Sequence, residues 1–277
     1  MAEPRVLSSA FLSDKGSNGA ASEQLAVVLL NWTLPELTPA LWARAKLRVC
    51  ADGGANRLFD ELPRMLPGVE AAAVRAQYLP TIIKGDLDSI RLDVRAFYQA
   101  AGVPIVDLSD DQDSTDLQKC IEYVRRQAEE QSLRLCDLTL VALGALGGRL
   151  DHTLSNLSTL HAHPDLNLVL LGDGNLSRLA PAGRCVIRPD RRLEGPTCGL
   201  VPCTGPAVAT SSGLRWNLDR TAMHFGGLVS TSNIIEADEV AVESDAHLVW
   251  TTKLRGGGGG GTHSDGEEPR AASGAAP

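Results

Sequence analysis

The chain has 277 residues, 43% of them hydrophobic, which is enough to bury one large core or two modest ones. Its formal charge of −8 at pH 7 argues against a nucleic-acid partner, since affinity for a polyanion rests on clustered Lys and Arg. The N-terminal stretch lacks the apolar core of a signal peptide, no run is long and apolar enough to span a bilayer, and the six cysteines form no CxxC pair. A soluble cytoplasmic protein with reduced thiols and no membrane partner is expected.

Residues 1–22, rich in Ser, Gly and Ala without a sustained period, read as a disordered tail. From residue 23 to 175, apolar runs alternate with amphipathic stretches. Leu25–Leu30, Leu47–Cys50, Thr81–Ile83, Pro104–Val106, Leu138–Leu143 and Leu168–Leu171 read as buried strands. The clearest helix covers Asp116–Glu130, where Leu117, Cys120, Ile121, Val124 and Ala128 make one apolar stripe and Thr115 with Gln118 fits a capping box. Strands alternating with helices predict an α/β domain with a mainly parallel sheet. The segment 63–80, with Pro63, Pro67 and Pro80, interrupts this rhythm and reads as a surface insertion. Across 176–255 the pattern changes to short β runs separated by Gly, Pro, Asn and Asp turns, which predicts an all-β C-terminal sandwich. Residues 256–277 open with a glycine run and read as a second disordered tail.

No GxxxxGK[ST] loop is present to cradle phosphates. Instead, an aspartate follows strand after strand: Asp52 in ADGGAN, Asp86 and Asp88 in KGDLDSI, Asp113 and Asp116 in DQDSTD, and Asp151 in GGRLDH. In a parallel sheet such positions share the edge where open α/β folds bind ligands. Several carboxylates gathered there repel one another unless a cation sits among them, and hard oxygen ligands favour Mg²⁺ or Ca²⁺. A magnesium–nucleotide site explains the set. Singly, Asp52 and Asp88 also suit turns, and Asp113 suits a helix cap. Arg149, beside Gly147 and Gly148, is either a phosphate contact or a surface arginine. Trp216, between Arg215 and Asn217, either stacks on a flat cationic ring or fills the sandwich core.

The same residues carry a resemblance to the thiamine pyrophosphokinase family. They are CADGGANRL (50–58), KGDLDSI (84–90), DQDSTD (111–116), LGALGGRLDH (143–152), SSGLRWNL (211–218) and GGLVSTSN (226–233). The motifs run in unbroken order across roughly residues 25–253, and animal members look the most similar. The resemblance implies a catalytic α/β domain (23–175) that binds nucleotide and Mg²⁺, a thiamine-binding sandwich (176–255), and a homodimer with active sites between subunits. It implies transfer of the diphosphoryl group of ATP to the hydroxyl of thiamine, with AMP released. Asp86, Asp88, Asp116 and Asp151 match the metal and phosphate positions, and Asp52, Asn56, Asp86, Arg149 and Asp151 the nucleotide site. Gln112, Asp113, Trp216, Ser230, Ser232 and Asn233 match the vitamin site, with Trp216 supplied by the partner subunit. Asp88, Asp116 and Arg149 are the expected catalytic groups, the base being either Asp88 or Asp116. Leu87 and Leu150 depart from the family pattern, where larger aromatics are expected.

Overall fold

The structure, a computed structural model, describes residues 4–13 and 24–256. After β1 (Arg5–Ser8), the chain runs through β2 (Gln24–Leu29), α1 (Thr38–Arg44), β3 (Leu47–Ala51), α2 (Gly54–Met65), α3 (Ala71–Gln77), β4 (Ile82–Gly85), α4 (Leu92–Ala100) and β5 (Ile105–Asp107). It continues with α5 (Asp116–Glu130), β6 (Leu138–Leu143), α6 (Leu150–Ala162) and β7 (Asn167–Gly172). Strands β2 to β7 pair only in parallel, in the order β7-β6-β2-β3-β4-β5. Alternation along β2 explains why both faces must be covered. Leu25, Val27 and Leu29 enter one core with Trp42 of α1, Leu58 of α2 and Val94 of α4. Ala26 and Val28 enter another with Leu117, Ile121 and Val124 of α5 and Leu160 of α6. Each such aliphatic side chain, fully buried, stabilises by about 1.5–3 kcal/mol. The capping box of α5 is formed, with the Thr115 and Gln118 side chains each bonded to the other's backbone N–H.

The chain fills the sheet outward from β2 to β5, then returns through α5 to place β6 on the other side of β2. The strand order therefore reverses between β2 and β6, and a crevice opens at their carboxyl ends.

Within this sheet parallel pairing stops at Asp173–Gly174, a two-residue turn with φ of 47° and 71° that joins β7 to β8 (Asn175–Ala180) as an antiparallel hairpin. There follow β9 (Gly183–Arg188), β10 (Glu194–Val201), β11 (Ala207–Ser212), β12 (Thr221–Met223), β13 (Ser230–Ile234), β14 (Val240–Ser244) and β15 (Leu248–Leu254). Four of these strands extend the parallel sheet into one of ten, β13-β10-β15-β8-β7-β6-β2-β3-β4-β5. The others form a five-stranded sheet, β1-β9-β14-β11-β12, and the two sheets share a core around Trp250, Leu248, Leu200, Ile187 and Val242.

Two expectations need correction. Part of the expected N-terminal tail is built into the fold: β1 pairs in parallel with β9, the Arg178 guanidinium donates to the Ser8 carbonyl at 3.0 Å, and Phe11 and Leu12 are buried. The segment 63–80 is not a loose insertion. Pro63 lies inside α2, Val74 of α3 is fully buried, and the Trp42 indole donates to the Tyr78 carbonyl at 3.0 Å. The expected tail 256–277 lies outside the described residues except for Gly256, as do residues 14–22 of the first. Among the described residues, no helix is long and apolar enough to cross a membrane.

Candidate active site

Asp52 is the first residue past β3, Asp86 the first past β4, and Asp116 the first of α5. Their carboxylates converge, with one oxygen from each lying within 4.8 Å of the others. Gly85 permits this approach: a Cβ there would sit 2.7 Å from the Asp52 Cβ and 2.9 Å from an Asp116 oxygen. Burial, then the charges of Asp86 and Asp52, push the Asp116 carboxyl up to about 6, against the opposing pull of Lys119. Burial also raises Asp52, although two backbone N–H groups hold its charged form. Three hard oxygen donors so placed suit a divalent cation of the magnesium or calcium type.

Asp52 also shapes the site. With φ of 40° and 3% exposure, it accepts the Ser89 and Ile90 backbone N–H groups, one on each oxygen, both at 3.0 Å. Asn56 clasps the same loop, donating to the Ser89 carbonyl at 2.8 Å and accepting from the Arg91 N–H at 3.0 Å. The turn-forming reading of Asp52 and the site reading therefore both hold, whereas both polar ends of Asn56 are already engaged.

The cluster lies in a cleft of about 580 Å³ at the carboxyl ends of the strands, whose walls include Asp88, Gln112 and Arg149. Asp88 is exposed and accepts a 2.7 Å bond from the Ser89 hydroxyl. Gln112 donates to the Ser109 carbonyl at 2.6 Å. Asp151 does not join the acidic cluster: on the first turn of α6 it is held bidentately by Arg149 at 2.5 and 3.1 Å, which keeps its carboxyl below the usual range. Asp113 does not line the cleft, and Thr115, not Asp113, caps α5.

Among the lining residues that escaped the sequence reading are Trp32, Arg57, Lys119 and Asn156. Lys119 is 3% exposed beside the carboxylates, and the signal for it was a lysine directly beside the apolar stripe of α5. Arg57 stands inside the quoted CADGGANRL motif and donates to Asn31 at 3.2 Å and to Glu61 at 3.0 Å. Asn156 donates to the Ala145 carbonyl at 2.8 Å and ties α6 to the loop after β6.

Residues 38–170 match the family profile described as thiamin pyrophosphokinase, catalytic domain, and residues 184–249 match the thiamin pyrophosphokinase vitamin B1 binding domain. Thiamine pyrophosphokinase 1 of Arabidopsis thaliana is 49% identical over 254 residues, covering 90% of this chain and 93% of that protein. The chain belongs to the thiamine pyrophosphokinase family. Its likeness to that plant member exceeds the 32% identity, over 77% of this chain and 82% of the relative, with thiamin pyrophosphokinase 1 of Caenorhabditis elegans, so the expected animal kinship is not what the comparison favours. Two solved family members have the same fold. The yeast thiamin pyrophosphokinase superimposes with a TM-score of 0.76 at 23% identity (90% of this chain, 91% of that one), and the Candida albicans enzyme with 0.75 at 23% (91% and 93%).

The stretch matching the family's vitamin-binding domain holds Trp216, Ser230, Ser232 and Asn233, and none of these lines the cleft. Trp216 is 53% exposed, with the Arg215 guanidinium 5.7 Å from its ring, which sets aside the core-filling reading. Asn233, 3% exposed, fixes the Trp216 backbone by accepting its N–H at 3.2 Å and donating to its carbonyl at 2.8 Å. Ser230 and Ser232 lie on β13, the edge strand beside it, and Ser232 is exposed with φ of 55°.

Proposed function

We infer that the protein catalyses transfer of the diphosphoryl group of ATP to the hydroxyl of thiamine, giving thiamine diphosphate and AMP. The observation that carries the reading is the convergence of buried Asp52 with half-buried Asp86 and Asp116 at the strand ends of a family member. In the proposed reaction the thiamine hydroxyl oxygen attacks the β-phosphorus of ATP in line, and the bond to the bridging oxygen breaks as AMP leaves. Mg²⁺ held by Asp86 and Asp116 with Asp52 would neutralise charge on the phosphoryl oxygens. Asp88 stands outside the converging three and is our choice to accept the hydroxyl proton, a role denied to a carboxylate occupied by metal. Lys119, Arg57 and Arg149 bring positive charge to the same cleft and suit contacts to the phosphates. Gln112 contacts the vitamin in this reading.

The active unit we propose is a homodimer. Trp216 is bonded to edge strand β13, and eight strand positions separate β13 from β4, which Asp86 follows. At about 4.8 Å per strand this is roughly 40 Å along the sheet. An indole cannot bridge that within one chain, so a vitamin bound near the aspartates would meet a Trp216 from a second copy. We assign the enzyme to the cytoplasm because its six cysteines are all free thiols, as a reducing compartment keeps them.

The test is a single assay with thiamine, ATP and Mg²⁺. AMP and thiamine diphosphate should appear in equal amounts. Inorganic phosphate or pyrophosphate with no thiamine diphosphate would overturn the reading in favour of nucleotide hydrolysis.

A further inference from the structure

Trp32 lies three residues past the end of β2, and its indole lies on the glycine pair of the loop after β6. A Cβ added to Gly148, whose φ is 66°, would come within 2.8–2.9 Å of three atoms of the indole's six-membered ring. No side chain other than hydrogen therefore fits between that backbone and the ring. Although covered on this side, Trp32 remains 38% exposed and lines the cleft. The loop does not depend on it for support. Asn156 holds the Ala145 carbonyl, the Thr153 hydroxyl donates to the Gly147 carbonyl at 3.1 Å, and the Ala145 N–H donates to the Leu171 carbonyl at 3.0 Å.

Strands β2 and β6 flank the point where the strand order reverses, and Trp32 and Gly148 belong to the loops that leave them. A large, flat, half-exposed ring stands at the crevice that open α/β sheets use for nucleotides. We propose that Trp32 is the stacking platform for the purine base of the nucleotide, so that the base lies at the β2–β6 crevice while the phosphates extend toward the aspartates past β3 and β4. The inference rests on the nucleotide chemistry proposed above for this cleft. Position favours the base over the vitamin as the occupant. The vitamin's hydroxyl must reach the phosphate beside the aspartates past β3 and β4, whereas Trp32 stands in the loop after β2, where the far end of the nucleotide would lie. The arginines nearby, Arg57 and Arg149, are ion-paired with Glu61 and Asp151.

Trp32→Ala should raise the KM for ATP about tenfold, the size expected of one base–aromatic stack, while the thiamine KM moves less than about twofold. Trp32→Phe, which keeps a ring, should restore most of the ATP affinity. Inhibition by tripolyphosphate, which has phosphates but no base, should be the same in all three proteins. Equal weakening of ATP and tripolyphosphate would show that the indole only props the loop, and a rise in thiamine KM in place of the ATP KM would give the ring to the vitamin. Either result overturns the proposal. A binding measurement separates it from the reaction itself. Of the four tryptophans, Trp42 and Trp250 are fully buried, so fluorescence quenching by Mg-ATP should be lost in Trp32→Phe and kept in Trp216→Phe. Quenching kept in Trp32→Phe would sink the inference even if thiamine diphosphate is made. Quenching lost there, in a protein that makes no thiamine diphosphate, would support the stacking site and overturn the reaction.

Discussion

The two ends of the ten-stranded sheet handle polar chemistry in opposite ways. Past β3 and β4, charges are crowded and partly buried. Asp52, Asp86 and Asp116 converge, and Asp52 is spent twice over on backbone N–H groups. Beside β13, Trp216 stands 53% exposed on a backbone fixed by Asn233, with the Arg215 guanidinium 5.7 Å from its ring. The first end gathers like charges at one point; the second holds a single exposed ring on a fixed backbone. In the dimer proposed above, reaction and vitamin recognition are built at these separate ends and meet on assembly.

The largest expected effect belongs to the acidic end. Asp86→Asn or Asp88→Asn should leave melting nearly unchanged and lower kcat by roughly a thousandfold or more, through lost charge neutralisation and proton acceptance in the transition state. Near-normal turnover at saturating Mg²⁺ in either variant would break the assignment. At the open end, Trp216→Ala should raise the thiamine KM about tenfold with little change for ATP. Steady-state kinetics in the two substrates would show it, and an equal rise in both would erase the division between the ends.

A smaller effect separates two aspartates within the acidic end. Asp52→Asn replaces one accepting oxygen with an NH₂ group facing a backbone N–H, so the variant should lose stability, by about 1–3 kcal/mol. Asp116→Asn should do the opposite in the metal-free protein. The folded-state carboxyl of Asp116 is raised to about 6, above its unfolded value, so folding favours its protonated form. That contribution is present below about pH 4 and is lost as pH rises through about 6. At pH 7 the Asn variant should therefore melt a few degrees higher than the parent, at about 2–4 °C per kcal/mol, with the difference vanishing near pH 4. Added Mg²⁺ should raise the melting temperature of the parent and not of Asp116→Asn. Thermal melts at both pH values, with and without the metal, check all three statements.

Much of this was legible in the sequence because it depends on period and on position after a strand. All six parallel strands fell within two residues of their observed limits, and five are near-continuous buried runs; β5, expected to be buried, is an edge strand with Val106 37% exposed. Asp52, Asp86 and Asp116 were visible because each directly follows a strand or opens a helix. What escaped depends on partners far along the chain. Strand β1 is four residues long and gains its place from β9 and Arg178. Strand β8 carries Ser177 and Arg178 on buried positions, and only the Asp173–Gly174 turn before it announced a hairpin. The joining of β13, β10, β15 and β8 to the parallel sheet follows from that hairpin and leaves no local pattern. At the site, Asp151 was read into the acidic set, but Arg149 two residues earlier captures it. Trp32 matched no motif, since its role comes from the loop after β6 lying across it.

The claim that the two ends meet only between copies is tested most directly by mixing Trp216→Ala subunits with Asp88→Asn subunits. The assay is run at a thiamine concentration well below the KM of the tryptophan variant, after subunit exchange has been demonstrated. If Trp216 serves the partner's cleft, each mixed dimer holds one site with both defects and one with neither. Activity should then rise above the sum of the separate proteins, toward one working site per mixed dimer. If Trp216 serves its own chain, every site keeps one defect and activity stays at that sum, which would contradict the account.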